Sequence, residues 1–168
     1  MKKFLIFTFT LFITLSCYSQ EGRGISISYS NVDVIGIEIF GIDGNQRIHF
    51  GYSHQFNRQK IEIIKKPIKN YGQTKIEDGT YFWAIDLGYS RVVRRKITVH
   101  SELSIGSKKE FTNYEDARFS DDGYSLITNT KMTAGVGLSL GYFINSSIEP
   151  FVGLHTLKKV NFGIRFSW

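Results

Sequence analysis

The sequence is poor in two residue types that shape folds. Of its 168 residues one is cysteine and two are proline, whereas 16 are glycine. The single cysteine, Cys17, excludes a disulfide within the chain. Few prolines beside many glycines favour strands joined by tight turns, and residues 20–168 show no helical periodicity. The composition therefore predicts an all-β domain.

One uncharged, largely apolar stretch stands at the start of the chain. Two lysines precede it, it covers residues 4–16, and small residues follow at Cys17 and Ser19. Its 13 residues are too few for a membrane-spanning helix, which needs about 20, but they suit a signal peptide. We predict a signal peptide over residues 1–19 and one mature domain over residues 20–168. The alternative is lipidation of Cys17, preceded by an imperfect recognition motif.

The last ten residues alternate between two kinds of side chain. Neighbouring side chains in a strand point to opposite faces, so this stretch has one apolar face and one polar face. The apolar set is Val160, Phe162, Ile164, Phe166 and Trp168, and the polar or small set is Lys159, Asn161, Gly163, Arg165 and Ser167. The pattern is typical of the closing strand of a membrane barrel, with its apolar face toward lipid.

Seven earlier segments alternate in the same way, which makes eight candidate strands. The eight segments cover residues 24–30, 34–41, 46–56, 81–91, 96–107, 130–143, 148–156 and 159–168. Two connections are long, residues 58–80 and 108–129, and both fall on the outer side if the N-terminus lies in the periplasm. The three connections on the periplasmic side are short. We therefore predict an eight-stranded antiparallel up-and-down transmembrane β-barrel.

The strand count, the loop asymmetry and the aromatic closing strand resemble the small outer-membrane β-barrel proteins of the OmpA/OmpX type, a group often described as porin-like. The resemblance covers residues 23–168. It implies a place in the outer membrane of a Gram-negative cell and a structural or surface-interaction role as a monomer. It also implies that the barrel-assembly machinery recognises the last strand. The residues of that signal are Phe162, Ile164, Phe166 and Trp168.

The inward faces of the predicted strands carry many charged groups. An eight-stranded barrel has an interior just wide enough for side chains to fill, and buried charges need partners. We expect a plug of paired groups rather than a water-filled pore. Its predicted members are Glu38, Arg47, Asp86, His100, Glu102, Lys131, Glu149, His155, Lys159 and Arg165.

Catalytic, metal and cofactor sites are not predicted. The four histidines are scattered singly, and Ser101 would point away from His100 on a regular strand. A lipid A-modifying enzyme remains an alternative function, although His155-Thr156-Leu157 lacks the serine of the deacylase pattern. A secreted, lipocalin-like barrel that binds a small apolar ligand is the other alternative.

The two long connections are the predicted interaction sites. The connection over residues 58–80 is basic, and its lysines could contact the phosphates of lipopolysaccharide. The connection over residues 108–129 is acidic and could fold onto the first. Nucleic acid is a poor match despite the isoelectric point near 9.4, because the basic residues are divided among the interior, the turns and one loop.

Overall fold

The computed structural model of the protein describes residues 22–57, 59–66, 74–119 and 122–168. The predicted signal peptide and Cys17 lie outside these ranges. Within them, no helix has the length and hydropathy needed to cross a membrane. The described chain forms nine strands: β1 (Gly22–Ser30), β2 (Val34–Asp43), β3 (Gln46–Gln55), β4 (Ile63–Ile64), β5 (Thr74–Arg94), β6 (Ile97–Glu115), β7 (Gly123–Tyr142), β8 (Ile148–His155) and β9 (Lys159–Ser167).

Eight of these strands close into a ring. Consecutive strands pair antiparallel from β1 to β3, β3 pairs with β5, and the sequence continues through β9, which pairs with β1. The closing contact between β9 and β1 sets Ile164 opposite Ile27. The predicted fold class, an all-β eight-stranded up-and-down transmembrane barrel, is confirmed.

The alternating faces of the strands separate apolar from polar side chains as predicted. The outward side chains of the barrel are apolar and exposed; they include Ile37, Ile48, Leu87, Leu103, Val136, Leu138, Leu154 and Ile164. The inward side chains are largely polar or charged and buried. A lipocalin-like barrel would need the reverse arrangement, an apolar interior under a polar exterior, so that alternative is wrong.

The outer wall is not evenly curved. A shallow apolar concavity of about 1410 Å³ lies against β5 to β9, and it is lined by Leu87, Leu103, Leu138 and Leu154 among others. These side chains belong to the lipid-facing belt just described. The membrane therefore covers the concavity in the same way as the rest of the wall.

Three strands are much longer than the others. β5, β6 and β7 have 21, 19 and 20 residues, whereas β1, β2, β3, β8 and β9 have 8 to 10. About 9 to 11 residues suffice for a barrel strand to cross a bilayer. The surplus forms a sheet that continues beyond the barrel at the end away from the chain termini. We call residues 74–82, 108–115 and 123–131 together with β4 the protruding sheet.

The protruding sheet corrects the predicted loops. Residues 74–80 belong to β5, and most of residues 108–129 form the ends of β6 and β7, so neither predicted loop is a free loop over its whole length. The prediction failed there because alternation is weak in stretches such as Lys108-Lys109-Glu110. A strand outside the bilayer faces no lipid and therefore does not need a continuous apolar outer face. Phe111 and Tyr124 of the protruding sheet are nevertheless buried within it.

β4 protects one edge of the protruding sheet. It pairs parallel with β7, with Ile63 opposite Ser125, although the strands next to it in the chain are β3 and β5. The backbone N–H of Lys60 donates to the Ser125 hydroxyl at 2.8 Å, and the Ser125 N–H donates to the Glu62 carbonyl at 2.9 Å. The segment over residues 59–66 therefore covers backbone groups of β7 that an exposed edge would leave open.

Candidate functional site

The barrel interior brings together eight of the ten predicted charged residues. These eight are Glu38, Arg47, Asp86, His100, Glu102, Glu149, His155 and Arg165, and each is at most 8% exposed. They form three groups, each built across several strands. Successive side chains of a strand point alternately into and out of the barrel, and neighbouring strands are antiparallel. Residues that are distant in the chain therefore meet inside the ring.

The first group is a carboxylate between two guanidinium groups. Arg47 Nη1 donates to Glu149 Oε2 at 2.5 Å, and Arg165 Nη1 donates to Glu149 Oε1 at 2.6 Å. Arg165 also lies over the Phe151 ring, with 4.0 Å between its Cζ and the ring centroid. Gly141 leaves room for the carboxylate, since a Cβ there would lie 2.1 Å from Glu149 Oε1. The group links β3, β8 and β9 through the centre of the barrel.

The second group holds a buried lysine between two carboxylates. Lys158 Nζ donates to Asp86 Oδ2 at 2.8 Å and also to Glu102 Oε1. The Ser104 hydroxyl bridges the same two acids, at 2.5 Å from Asp86 Oδ1 and 3.0 Å from Glu102 Oε1. Lys158 is 2% exposed, although it lies in the turn between β8 and β9. Its ammonium group therefore enters the barrel from one end.

Two predicted members of the interior are not there. Lys131 is exposed and pairs with Glu110 at 3.2 Å on the protruding sheet, because β7 has already left the barrel at that point. Lys159 is also exposed, since its backbone has φ of 59° and does not continue the extended alternation of β9. The preceding residue, Lys158, takes the inward position that Lys159 was predicted to have.

A serine–histidine pair occurs in the interior, at a place that the sequence did not suggest. Ser104 Oγ lies 3.1 Å from His155 Nε2. The backbone N–H groups of Leu157 and Lys158 donate to His155 Nδ1, at 3.1 and 3.2 Å. The proton is therefore on Nε2, which donates to the serine instead of accepting its proton, the reverse of a catalytic pair. Fully buried Ser104 gives the lipid A-modifying alternative no support.

The third group, Glu38, His49 and His100, contains polar atoms that have no hydrogen-bond partner among the described residues. His49 Nδ1 lies 3.2 Å from Glu38 Oε2, and His49 Nε2 lies 2.8 Å from the Ser90 hydroxyl. His100 packs edge-on against His49, with ring centroids 4.5 Å apart. Neither ring nitrogen of His100 has a hydrogen-bond partner among the described residues. The sequence did not predict this cluster, because its residues are far apart in the chain.

The predicted signal residues of the last strand all lie on its outer face. Phe162, Ile164, Phe166 and Trp168 are between 38% and 65% exposed. Phe162 meets Tyr29 of β1 edge-to-face, with ring centroids 5.9 Å apart. Their placement continues the apolar belt across the seam where the barrel closes.

The protruding sheet carries a basic cleft near its base. The cleft has a volume of about 420 Å³ and is lined by Lys65, Lys109 and residues 127–130. Among the described residues neither lysine forms an ion pair, and Lys109 Nζ lies 5.5 Å from the centroid of the Tyr81 ring. Two ammonium groups thus flank a small concave surface at the level where the barrel ends.

A closed eight-stranded ring with an apolar exterior and a charged interior defines a class: the chain has the fold of small outer-membrane β-barrel proteins. Comparisons with solved structures agree. Neisserial surface protein A matches with a TM-score of 0.50 at 11% identity, over 86% of this chain and 92% of that one.

Two further structures are similar over most of this chain. The attachment invasion locus protein Ail of Yersinia pestis matches with a TM-score of 0.48 at 8% identity, over 88% of this chain and 94% of that one. A designed transmembrane β-barrel matches with a TM-score of 0.44 at 10% identity, over the same two shares. No protein-family model matches the chain, and no curated protein does.

Proposed function

We propose that the protein is a non-enzymatic surface component of the outer membrane of a Gram-negative cell, in which the barrel is an anchor and the protruding sheet is the interaction site. One observation carries the proposal: β5, β6 and β7 continue together for about ten residues past their shorter neighbours. At about 3.3 Å per residue this surplus is roughly 30 Å of strand. A bilayer anchor alone does not need it.

The orientation follows from the positions of the ends. The described termini meet at one end of the barrel, where the Arg23 N–H donates to the Trp168 carbonyl at 3.1 Å. Short turns connect β2 to β3, β5 to β6 and β7 to β8 at that same end. Barrels of this class keep short turns in the periplasm and longer connections outside. The protruding sheet accordingly extends from the cell surface. The barrel-assembly machinery would contact the last strand, with its four aromatic and aliphatic signal residues, from the periplasm.

The basic cleft supports a specific partner, the phosphate groups of lipopolysaccharide. The cleft lies at the base of the protruding sheet, just beyond the edge of the apolar belt. Lipid headgroups lie at this level in a bilayer. Lys65 and Lys109 supply two ammonium groups without a carboxylate partner among the described residues. Ammonium groups bind phosphate oxygens through charge-assisted hydrogen bonds.

The test is a titration of the folded barrel in phosphocholine micelles with bisphosphorylated lipid A, followed by amide chemical shifts. We expect the shifts to concentrate at residues 127–130. The double variant Lys65→Gln, Lys109→Gln should bind roughly tenfold more weakly, a loss of about 1.4 kcal/mol. Lys131→Gln is the matched control, because Glu110 already neutralises that ammonium group. Equal weakening in the control, or equal affinity for dephosphorylated lipid A, would contradict the proposal.

A further inference from the structure

The interior histidine His100 lacks the partners that a buried imidazole needs. It is 2% exposed, and both of its ring nitrogens are without a hydrogen bond among the described residues. Glu102 Oε2 lies 3.8 Å from Nε2, which is too long for a hydrogen bond. Buried polar groups in native proteins nearly always have a partner, so an unsatisfied one calls for a ligand or an ion.

Two carboxylates converge on this imidazole. Glu38, His100 and Glu102 each offer one donor atom, and these atoms lie within 4.8 Å of one another. For three atoms so spaced, a common centre lies at most about 2.8 Å from each, against about 2.0–2.2 Å in a bound zinc site. A contraction of roughly 0.7 Å toward that centre would therefore bring the three atoms to the distances found in zinc sites.

The carboxylates have coordination capacity left. Among the described residues, the hydrogen bonds of Glu102 use Oε1, which faces Lys158 and Ser104, and that of Glu38 uses Oε2, which faces His49. One oxygen of each acid has no hydrogen bond among the described residues, and that of Glu102, Oε2, lies 3.8 Å from His100 Nε2. His49, held in turn by Ser90, orients Glu38 in the way that outer partners orient metal-binding carboxylates.

The local charge also favours a cation. Asp86, Glu102 and Glu38 are buried together with only one ammonium group, that of Lys158. Glu38 itself has a histidine as its sole charged or titratable hydrogen-bond partner among the described residues. The neighbouring group holds two guanidinium groups against one carboxylate, that of Glu149. Counting both groups, four buried carboxylates face three buried cations, so one negative charge is left without compensation. A bound cation would supply positive charge next to the two carboxylates that face His100.

From these observations we propose that the barrel interior binds one divalent transition-metal cation of the Zn²⁺ type, ligated by Glu38, His100 and Glu102. One imidazole nitrogen with two carboxylate oxygens is a donor set that suits such an ion, whereas Mg²⁺ and Ca²⁺ prefer oxygen alone. The ion would tie β2 to β6 across the lumen. This site is independent of the protruding sheet and of its proposed lipid partner.

The test uses the folded barrel, refolded in detergent with Zn²⁺ and then passed over a chelating resin, with bound metal measured by atomic emission. We expect about one Zn²⁺ per barrel for the unchanged chain, and at least a tenfold loss for His100→Ala and for Glu38→Gln. His54→Ala is the matched control, because His54 lies at the rim among Tyr52, Phe56 and Tyr81. It should keep the full metal content.

Folding is checked in each sample by heat-modifiable gel migration, and only folded barrels are counted. A second measurement is the urea midpoint, which Zn²⁺ should raise for the unchanged chain and not for His100→Ala. Metal below about 0.1 per barrel in the unchanged chain would overturn the proposal whether or not a variant folds. Equal metal in His100→Ala would do the same, since it would show adventitious binding only. Full occupancy by Ca²⁺ or Mg²⁺ in competition would overturn the choice of ion.

Discussion

The barrel interior and the protruding sheet both hold ion pairs, but in opposite environments. In the interior, the carboxylate of Glu149 and the guanidinium of Arg165 are each 1% exposed. On the protruding sheet, the side chains of Lys131 and Glu110 are 65% and 40% exposed. Water solvates the second pair with or without its partner, whereas each member of the first depends on the other. Loss of one partner is therefore expected to cost much more stability in the interior than on the protruding sheet.

The largest expected effect comes from breaking the interior group. Glu149→Gln leaves two buried guanidinium groups that cannot lose their protons, so we expect a loss of about 3–5 kcal/mol of unfolding free energy. Glu110→Gln removes the corresponding acid of the protruding sheet and should cost less than about 1 kcal/mol. Urea unfolding in detergent, followed by heat-modifiable migration, measures both. Equal costs would mean that the two environments do not differ as described.

A second contrast concerns apolar side chains that are exposed in both regions. Leu138 faces outward from the barrel wall, and Ile76 faces outward from the protruding sheet. A lysine on the lipid face near the bilayer midplane costs about 2–4 kcal/mol, so Leu138→Lys should destabilise the barrel in a bilayer by that amount. Ile76→Lys should change stability by less than about 0.5 kcal/mol, because water surrounds that position. Unfolding in lipid vesicles tests the pair. A large loss for Ile76→Lys would place the protruding sheet inside the membrane.

The smallest expected effect is a pH response confined to the protruding sheet. The Lys75 ammonium, together with the Thr112 hydroxyl, holds the pKa of Asp78 below its usual range. A lowered pKa in the folded state means that the interaction stabilises above the unfolded pKa and is lost as pH falls through the folded one. We expect Lys75→Gln to move the Asp78 pKa upward toward its ordinary value, as followed by carboxyl NMR. An unchanged pKa would show that Thr112 alone sets it.

The fold was largely predictable because its signal is local. In a strand, facing depends only on whether the residue number is odd or even, so Val160 to Trp168 show their apolar face without reference to any partner. The same reasoning placed Glu38, Asp86, Glu102 and Arg165 inside. It failed where the backbone departs from the extended form, and Lys159 with its φ of 59° is the example.

The candidate sites were less predictable because they depend on which residues meet. Glu38 and Glu102 are 64 positions apart in the chain, and only the ring order and register bring them to the same imidazole. The basic cleft needs Lys65 to fold back along β7, a parallel pairing that no alternation pattern indicates. Lys158 was missed because a turn residue has no face to assign.

The sequence by itself determined the number of barrel strands, the apolar exterior and the polar interior, since the alternation of side chains and the turns between strands are properties of short stretches. The tertiary structure alone decided the length of the protruding sheet, the choice of Lys158 over Lys159, and the convergence of Glu38, His100 and Glu102. Those features arise from contacts between distant residues, and closing the ring is what brings such residues together.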